Sequence, residues 1–134
     1  MTGYLLDTNI LSDLIRTPNG AVARRLAEVG ESRVATSVIV AAELRYGALR
    51  KGSPRLTARV EALLAEIAVL PFEPPADAAY GGIRSALEAV GTPIGGNDLL
   101  IAAHALSLER TMVTANRREF ERVNGLTVEN WLEE

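Results

Sequence analysis

The chain has 134 residues, 48% of them apolar, a formal net charge of −3 and no cysteine. That length suits one globular domain spanning 1–134, with one ordinary core, and the missing thiols exclude disulfides, thiolate zinc sites and cysteine nucleophiles. His104 is the single histidine, so a site of several imidazoles is excluded too, and any metal must be held by oxygen, which points to Mg²⁺ or Mn²⁺. The opening stretch, Met1 to Asp7, has neither the basic nor the long apolar segment of a signal peptide. No apolar run reaches the roughly 18 residues of a membrane span, so a soluble cytoplasmic protein without membrane contact is expected.

Tyr4-Leu5-Leu6 is a short apolar run that stops at Asp7 and reads as a buried strand. From Asn9, the residues Ile10, Leu11, Leu14 and Ile15 follow a helical period until Thr17-Pro18-Asn19-Gly20 breaks it. Val22, Leu26 and Val29 mark a second helix, closed near Gly30. Arg33 to Thr36 reads as a strand, and Ser37 as the N-cap of an apolar helix from Val38 to about Leu49. After Gly52-Ser53-Pro54, the spacing of Leu56, Val60, Leu63, Leu64 and Ile67 predicts an amphipathic helix, and Val69-Leu70 a short strand. Pro74-Pro75 opens a helix with the stripe Ala76, Ala79, Tyr80, Ile83, Leu87 and Val90. A turn-rich loop, 91–96, leads to Asn97-Asp98, the start of a helix apolar nearly all round and therefore central. Thr111 to Thr114 reads as a strand, Arg117 to Glu121 as a helical turn, and Leu126-Thr127-Val128 as a last strand. Strands alternating with helices imply an α/β fold, with a short, mostly parallel central sheet of about four to five strands flanked by helices.

The aspartates are Asp7, Asp13, Asp77 and Asp98. Asp7 ends the first strand, and Asp98 begins the most apolar helix. Glu43 lies inside Val38-Ile39-Val40-Ala41-Ala42-Glu43-Leu44, another largely apolar helix. A carboxylate in such surroundings costs several kcal/mol unless charge or hydrogen bonds compensate it. In parallel α/β sheets, ligands bind beyond the carboxyl ends of the strands, where these three acids can converge and repel until a divalent cation joins them. Each acid also has a plainer reading. Asp7 would cap the next helix, Asp98 would complement a helix dipole, and Glu43 would pair with Arg45 or Arg50.

His104 reads as a packed, hydrogen-bonded core or interface residue. Gly95-Gly96 lacks the Gly-Lys-Ser/Thr that a P-loop requires and reads as a turn that places Asp98. Lys51 is the only lysine among the 14 basic residues, and arginine suits phosphate. The clusters Arg45, Arg50, Lys51 and Arg117, Arg118 read either as solvated helix faces or as phosphate contacts.

At the level of motifs, Leu5-Leu6-Asp7-Thr8-Asn9 resembles the opening of PIN domains. Glu43-Leu44-Arg45-Tyr46-Gly47 resembles their second acidic block, and Thr92 to Ala105, around Gly96-Asn97-Asp98, resembles their third. Val113 to Phe120 resembles the fourth, and Val128-Glu129-Asn130-Trp131 the ending. The blocks stand in family order over almost the whole chain, and the likeness is greatest to VapC-type toxins of bacterial toxin–antitoxin pairs. The resemblance implies a PIN-like fold, a Mg²⁺-dependent endoribonuclease acting on RNA, a homodimer and a cognate antitoxin. It makes Asp7, Glu43 and Asp98 the catalytic acids and metal ligands, with Thr8, Asn9, Thr114 and Asn116 in support. In the fourth block Asn116 stands where the family often places an acid, and Glu119 offers a charge nearby. A first metal is expected at Asp7 and Asp98, and whether a second binds stays open.

Other classes fit less well. An aspartate-based phosphatase needs a second Asp two residues after the first, where this chain has Asn9, and a phosphotransfer receiver needs a late lysine, which is absent. A catalytically idle PIN-like module that binds RNA or protein is the alternative, and metal titration separates it from a nuclease.

Overall fold

A computed structural model describes residues 3–133. Its first strand, β1 (Tyr4–Leu6), runs into α1 (Thr8–Arg16), then α2 (Ala21–Val29), β2 (Val34–Ser37) and α3 (Val38–Lys51). There follow α4 (Pro54–Glu66), β3 (Ala68–Leu70), α5 (Ala76–Ala89), α6 (Gly96–Ser107), β4 (Thr111–Val113), α7 (Arg117–Phe120) and β5 (Val128–Glu129). The strands form one sheet in the order β3-β2-β1-β4-β5, every pairing parallel. All strand C-termini therefore face the same edge. Register sets Leu6 beside Thr36 on one side and Val113 on the other, so the residues that follow these positions emerge as neighbours.

Local chemistry explains where the helices start and stop. Ser37 Oγ accepts from the Ile39 N–H at 3.0 Å and caps α3, while Gly52, at φ 64°, closes it in the left-handed region. Ser53 caps α4 through the Leu56 N–H at 3.1 Å, with Pro54 in the first turn where its missing N–H costs nothing. Gly30, at φ 89°, ends α2.

The sheet is the middle layer. Leu5, Leu6, Met112 and Val113 are fully buried, and every residue of β2 is buried. The α6 stripe of Ile101, Ala102, Ala103 and Ala105 is also fully buried, because small side chains let α6 sit close to its neighbours, α5 above all. Val22, Val60 and Leu64 of the amphipathic α2 and α4 join this core. Leu26, Leu63 and Ile67 are only partly covered and line an apolar hollow of about 360 Å³ with Leu14.

The boundaries differ from the sequence expectations at a few places. Arg33 belongs to a short 3-10 turn, Glu31–Arg33, rather than to β2. The last strand lies at Val128–Glu129 instead of 126–128, because Leu126 turns back to the Val123 carbonyl and the register begins by pairing Met112 with Val128. α6 begins at Gly96, and Thr114 lies just past β4.

His104 is 1% exposed. Its Nδ1 lies 2.8 Å from Ser37 Oγ, and its ring meets Phe72 edge-on with centroids 5.4 Å apart. Ser37 already accepts from Ile39, so its hydroxyl proton is free to be donated to Nδ1. The histidine thus ties α6 to the cap of α3, as a core residue. Burial holds its pKa below the ordinary 6.5, partly offset by the Pro71 carbonyl and Glu73.

Two stability tests follow. Ile101→Ala empties a fully buried position and is expected to cost about 2–5 kcal/mol in urea unfolding. A histidine with a lowered folded pKa contributes stability that is complete above the unfolded value and lost as pH falls below it. Urea midpoints should therefore fall as pH drops below 6.5 more steeply in the wild type than in His104→Gln, and parallel curves would contradict the buried neutral imidazole.

Candidate active site

Asp7 is the first residue beyond β1. Its backbone N–H donates to the Val113 carbonyl at 2.8 Å, extending the β1–β4 ladder by one step. Its side chain is 4% exposed. Oδ1 accepts from the Thr8 N–H at 2.8 Å and Oδ2 from the Thr114 hydroxyl at 2.8 Å. The plainer reading of Asp7 as a helix cap is correct, and it describes only one of the two oxygens. Burial pushes the Asp7 pKa up, the Thr114 and Thr8 hydrogen bonds pull it down, and the charges of Glu43 and Glu119 raise it again, leaving it above the ordinary 3.8.

Thr114 is itself pinned, since its hydroxyl oxygen accepts from the Asn116 N–H at 3.0 Å. Asn9 Oδ1 accepts from the Ala115 N–H at 3.0 Å. The two side chains stitch the start of α1 to the loop after β4 and fix the orientation of Asp7.

Glu43 projects from the second turn of α3 back to the same edge. One carboxylate oxygen accepts from the Thr8 hydroxyl and the other from the Asn97 amide at 2.9 Å. It forms none of the ion pairs found among the described residues. Arg45, the cation nearest in sequence, is instead held by both oxygens of Glu61 at 2.8 and 3.0 Å.

Asp98 lies in the first turn of α6, which agrees with the dipole reading, yet its surroundings are negative. Burial, a hydrogen bond with Glu119, and the charges of Asp7, Glu119 and Glu43 together push its pKa up to about 7. Burial also acts to raise Glu119, but the Gly95 N–H at 3.0 Å, the Asn116 amide at 2.9 Å, Asp98 and Arg122 outweigh it and hold Glu119 below the usual carboxylate range. Of the two acids, Asp98 is thus the one pushed up and Glu119 the one held down.

These groups face one open hollow of about 420 Å³, lined by Asp7, Thr8, Asn9, Ser12, Arg16, Glu43, Asp98 and Asn116. All three predicted acids and Thr8, Asn9 and Asn116 are thus brought together, with Thr114 directly behind Asp7. Asn116 does not stand in for an acid; its amide orients Glu119, which supplies the charge. Asn97 was not foreseen from the sequence, although its place beside Asp98 marked it. Ser12 and Arg16, also unforeseen, follow Thr8 at four-residue steps along α1.

The donor set fits a hard divalent cation. Its ligating atoms are carboxylate oxygens, and neither Asp7 nor Asp98 is neutralised by an ion pair among the described residues. Burial first, then the hydrogen bond with Glu119 and the repulsion of Asp7, Glu119 and Glu43, raise the pKa of Asp98. Among the described residues no three of these acids already stand at ion-ligating spacing.

The repulsion has a measurable sign. For a carboxyl whose folded pKa is raised, stability is lost as pH climbs from the unfolded value towards the folded one, here from 3.8 to about 7. In EDTA, Asp98→Asn is expected to melt at a higher temperature than the wild type at pH 8, with the gap shrinking towards pH 5. A variant less stable than the wild type at pH 8 would contradict the clash.

Comparison with known proteins adds the following. Residues 4–126 match the PIN domain. The chain is 40% identical to ribonuclease VapC2 of Haemophilus influenzae over 134 residues, covering 98% of this chain and 100% of that one. It is 37% identical to the tRNA(fMet)-specific endonuclease VapC of Shigella flexneri, covering 98% and 99%. Among solved structures, VapBC2 from Rickettsia felis bound to a promoter DNA fragment superposes with a TM-score of 0.88 at 36% identity, over 96% of this chain and 98% of that one.

Proposed function

Because this chain belongs to the PIN-domain family, and within it to the VapC ribonucleases, it is a metal-dependent endoribonuclease with a cognate antitoxin, and we propose that Asp7, Glu43 and Asp98 carry its cleavage with Mg²⁺ as the ion. The observation that supports this most is the meeting of these three acids at one hollow on the sheet edge, with Glu119 beside Asp98, where neither Asp7 nor Asp98 has an ion pair among the described residues. Mn²⁺ shares the oxygen-ligand chemistry and would substitute.

In this reading Asp7 and Asp98 would hold the ion, and Glu119 would add its charge beside Asp98. When bound, the ion polarises the scissile phosphate and acidifies the attacking water. Glu43, oriented by Thr8 and Asn97, keeps lone pairs on both oxygens to align that water and take its proton. Thr114 and Asn9 keep Asp7 in place so that positioning is built before substrate arrives.

The RNA is the open element. Relatives from Shigella flexneri and Salmonella typhimurium are named for tRNA(fMet), so initiator tRNA is the first substrate to offer, beside a mixed RNA pool. We also propose a homodimer as the form in solution. No helix among the described residues is long and apolar enough to cross a membrane.

Purified protein with Mg²⁺ is expected to yield discrete RNA fragments. EDTA should abolish them, and so should Asp7→Asn, which keeps the helix cap and the fold. Near-native cleavage by Asp7→Asn would refute the assignment, and an idle module would show no cleavage with any metal. Bound antitoxin is expected to close the acidic hollow, and a purified complex with full nuclease activity would contradict that.

A further inference from the structure

The acidic hollow repels the polyanion it is proposed to cut, and the chain as a whole is negative, at −3. Binding therefore needs uncommitted positive charge close to the site. Most arginines are already engaged. Arg45 is held by Glu61, Arg84 by Glu88 at 3.0 Å and Arg117 by Glu121 at 3.1 Å, while Arg122 donates to the Pro93 carbonyl at 3.2 Å.

Arg16 and Lys51 differ. A second hollow, of about 190 Å³, runs between α1, α3 and α4, and both residues line it. Its lining shares Thr8, Ser12, Arg16 and Glu43 with the acidic hollow, so the two adjoin. Arg16, whose side chain is 71% exposed, reaches Asp13 only at 3.9 Å, a contact too long and too wet to hold it. Lys51 is exposed at the last turn of α3 and has no ion pair among the described residues. The polar ridge Thr8, Ser12, Arg16 along α1 leads from the acids to this pair.

We propose that Arg16 and Lys51 form a phosphate subsite, holding the backbone of an RNA nucleotide that flanks the scissile bond; this rests on the endoribonuclease reading above. Arg16 offers a planar fork to two phosphate oxygens and Lys51 a mobile point charge. Such contacts set register and affinity without reading bases, so they position any RNA the site accepts. Because the contact is the same before and in the transition state, it lowers KM and leaves kcat alone.

The test compares full-length Arg16→Gln and Lys51→Gln with Arg59→Gln, an exposed cation of α4 that lines neither hollow. Binding of a short labelled single-stranded RNA is measured in the Asp7→Asn background over a range of salt, and KM and kcat in the active background. Each subsite variant is expected to weaken binding several-fold, to flatten the slope of log affinity against log salt by about 0.7, and to raise KM at unchanged kcat, with Arg59→Gln like the parent. Unchanged affinity and slope would overturn the subsite while parental cleavage left the nuclease standing. Variants that lose only antitoxin binding would make the pair a protein contact and overturn it too. A parent that neither binds nor cuts RNA would remove both readings.

Discussion

Negative charge gathered at one sheet edge, under partial burial, is the constraint from which the rest of the structure takes its shape. Asp7 is almost wholly buried, Glu119 lies beside Asp98 and raises its pKa, and Glu43 lines the same hollow as Asp7 and Asp98. A fold selected for stability alone would not keep this arrangement, since apolar or neutral residues at these positions would remove the repulsion. The chain tolerates it through specific hydrogen bonds from Thr114, Thr8, Asn97, Asn116 and the Gly95 N–H. Those donors hold the acids without neutralising them, which leaves the charge available to a cation.

The parallel sheet makes the gathering possible. With every strand running the same way, β1 and β4 deliver Asp7 and Thr114 side by side, and β2 passes directly into α3, which returns Glu43 to the same edge. α6 must start at that edge for Asp98 to join them, and its small-residue stripe allows the deep packing that fixes it. His104, on the far part of α6, locks the helix to Ser37 at the head of α3. The helices bearing Asp98 and Glu43 are thus linked through the core as well as through the site.

Much of this was legible in the sequence because the signals were local. Tyr4-Leu5-Leu6 ending at Asp7, Ser37 ahead of an apolar helix, and Gly52-Ser53-Pro54 between two helices each state a boundary through the chemistry of a cap or a breaker. The three acids stood out as charges in apolar stretches, and the order of motifs gave them a common purpose. What stayed hidden depends on contacts distant in sequence. Whether Glu43 would pair with Arg45 depended on Glu61, sixteen residues away, taking that arginine. The role of Asn116 depended on Glu119 bridging to Gly95, and the last strand moved because its register with Met112 outweighed the apolar run at Leu126. Arg16 gave no signal, since an arginine at the last turn of a helix is ordinary until the hollow beside it is known.

The claim on which all of this turns is that the clustered carboxylates await a cation. Calorimetric titration of Mg²⁺ into the full-length protein and into Asp98→Asn measures it directly. Saturable binding by the wild type that is lost or greatly weakened in the variant is the result predicted. Absence of saturable binding, or equal binding by both proteins, would contradict it.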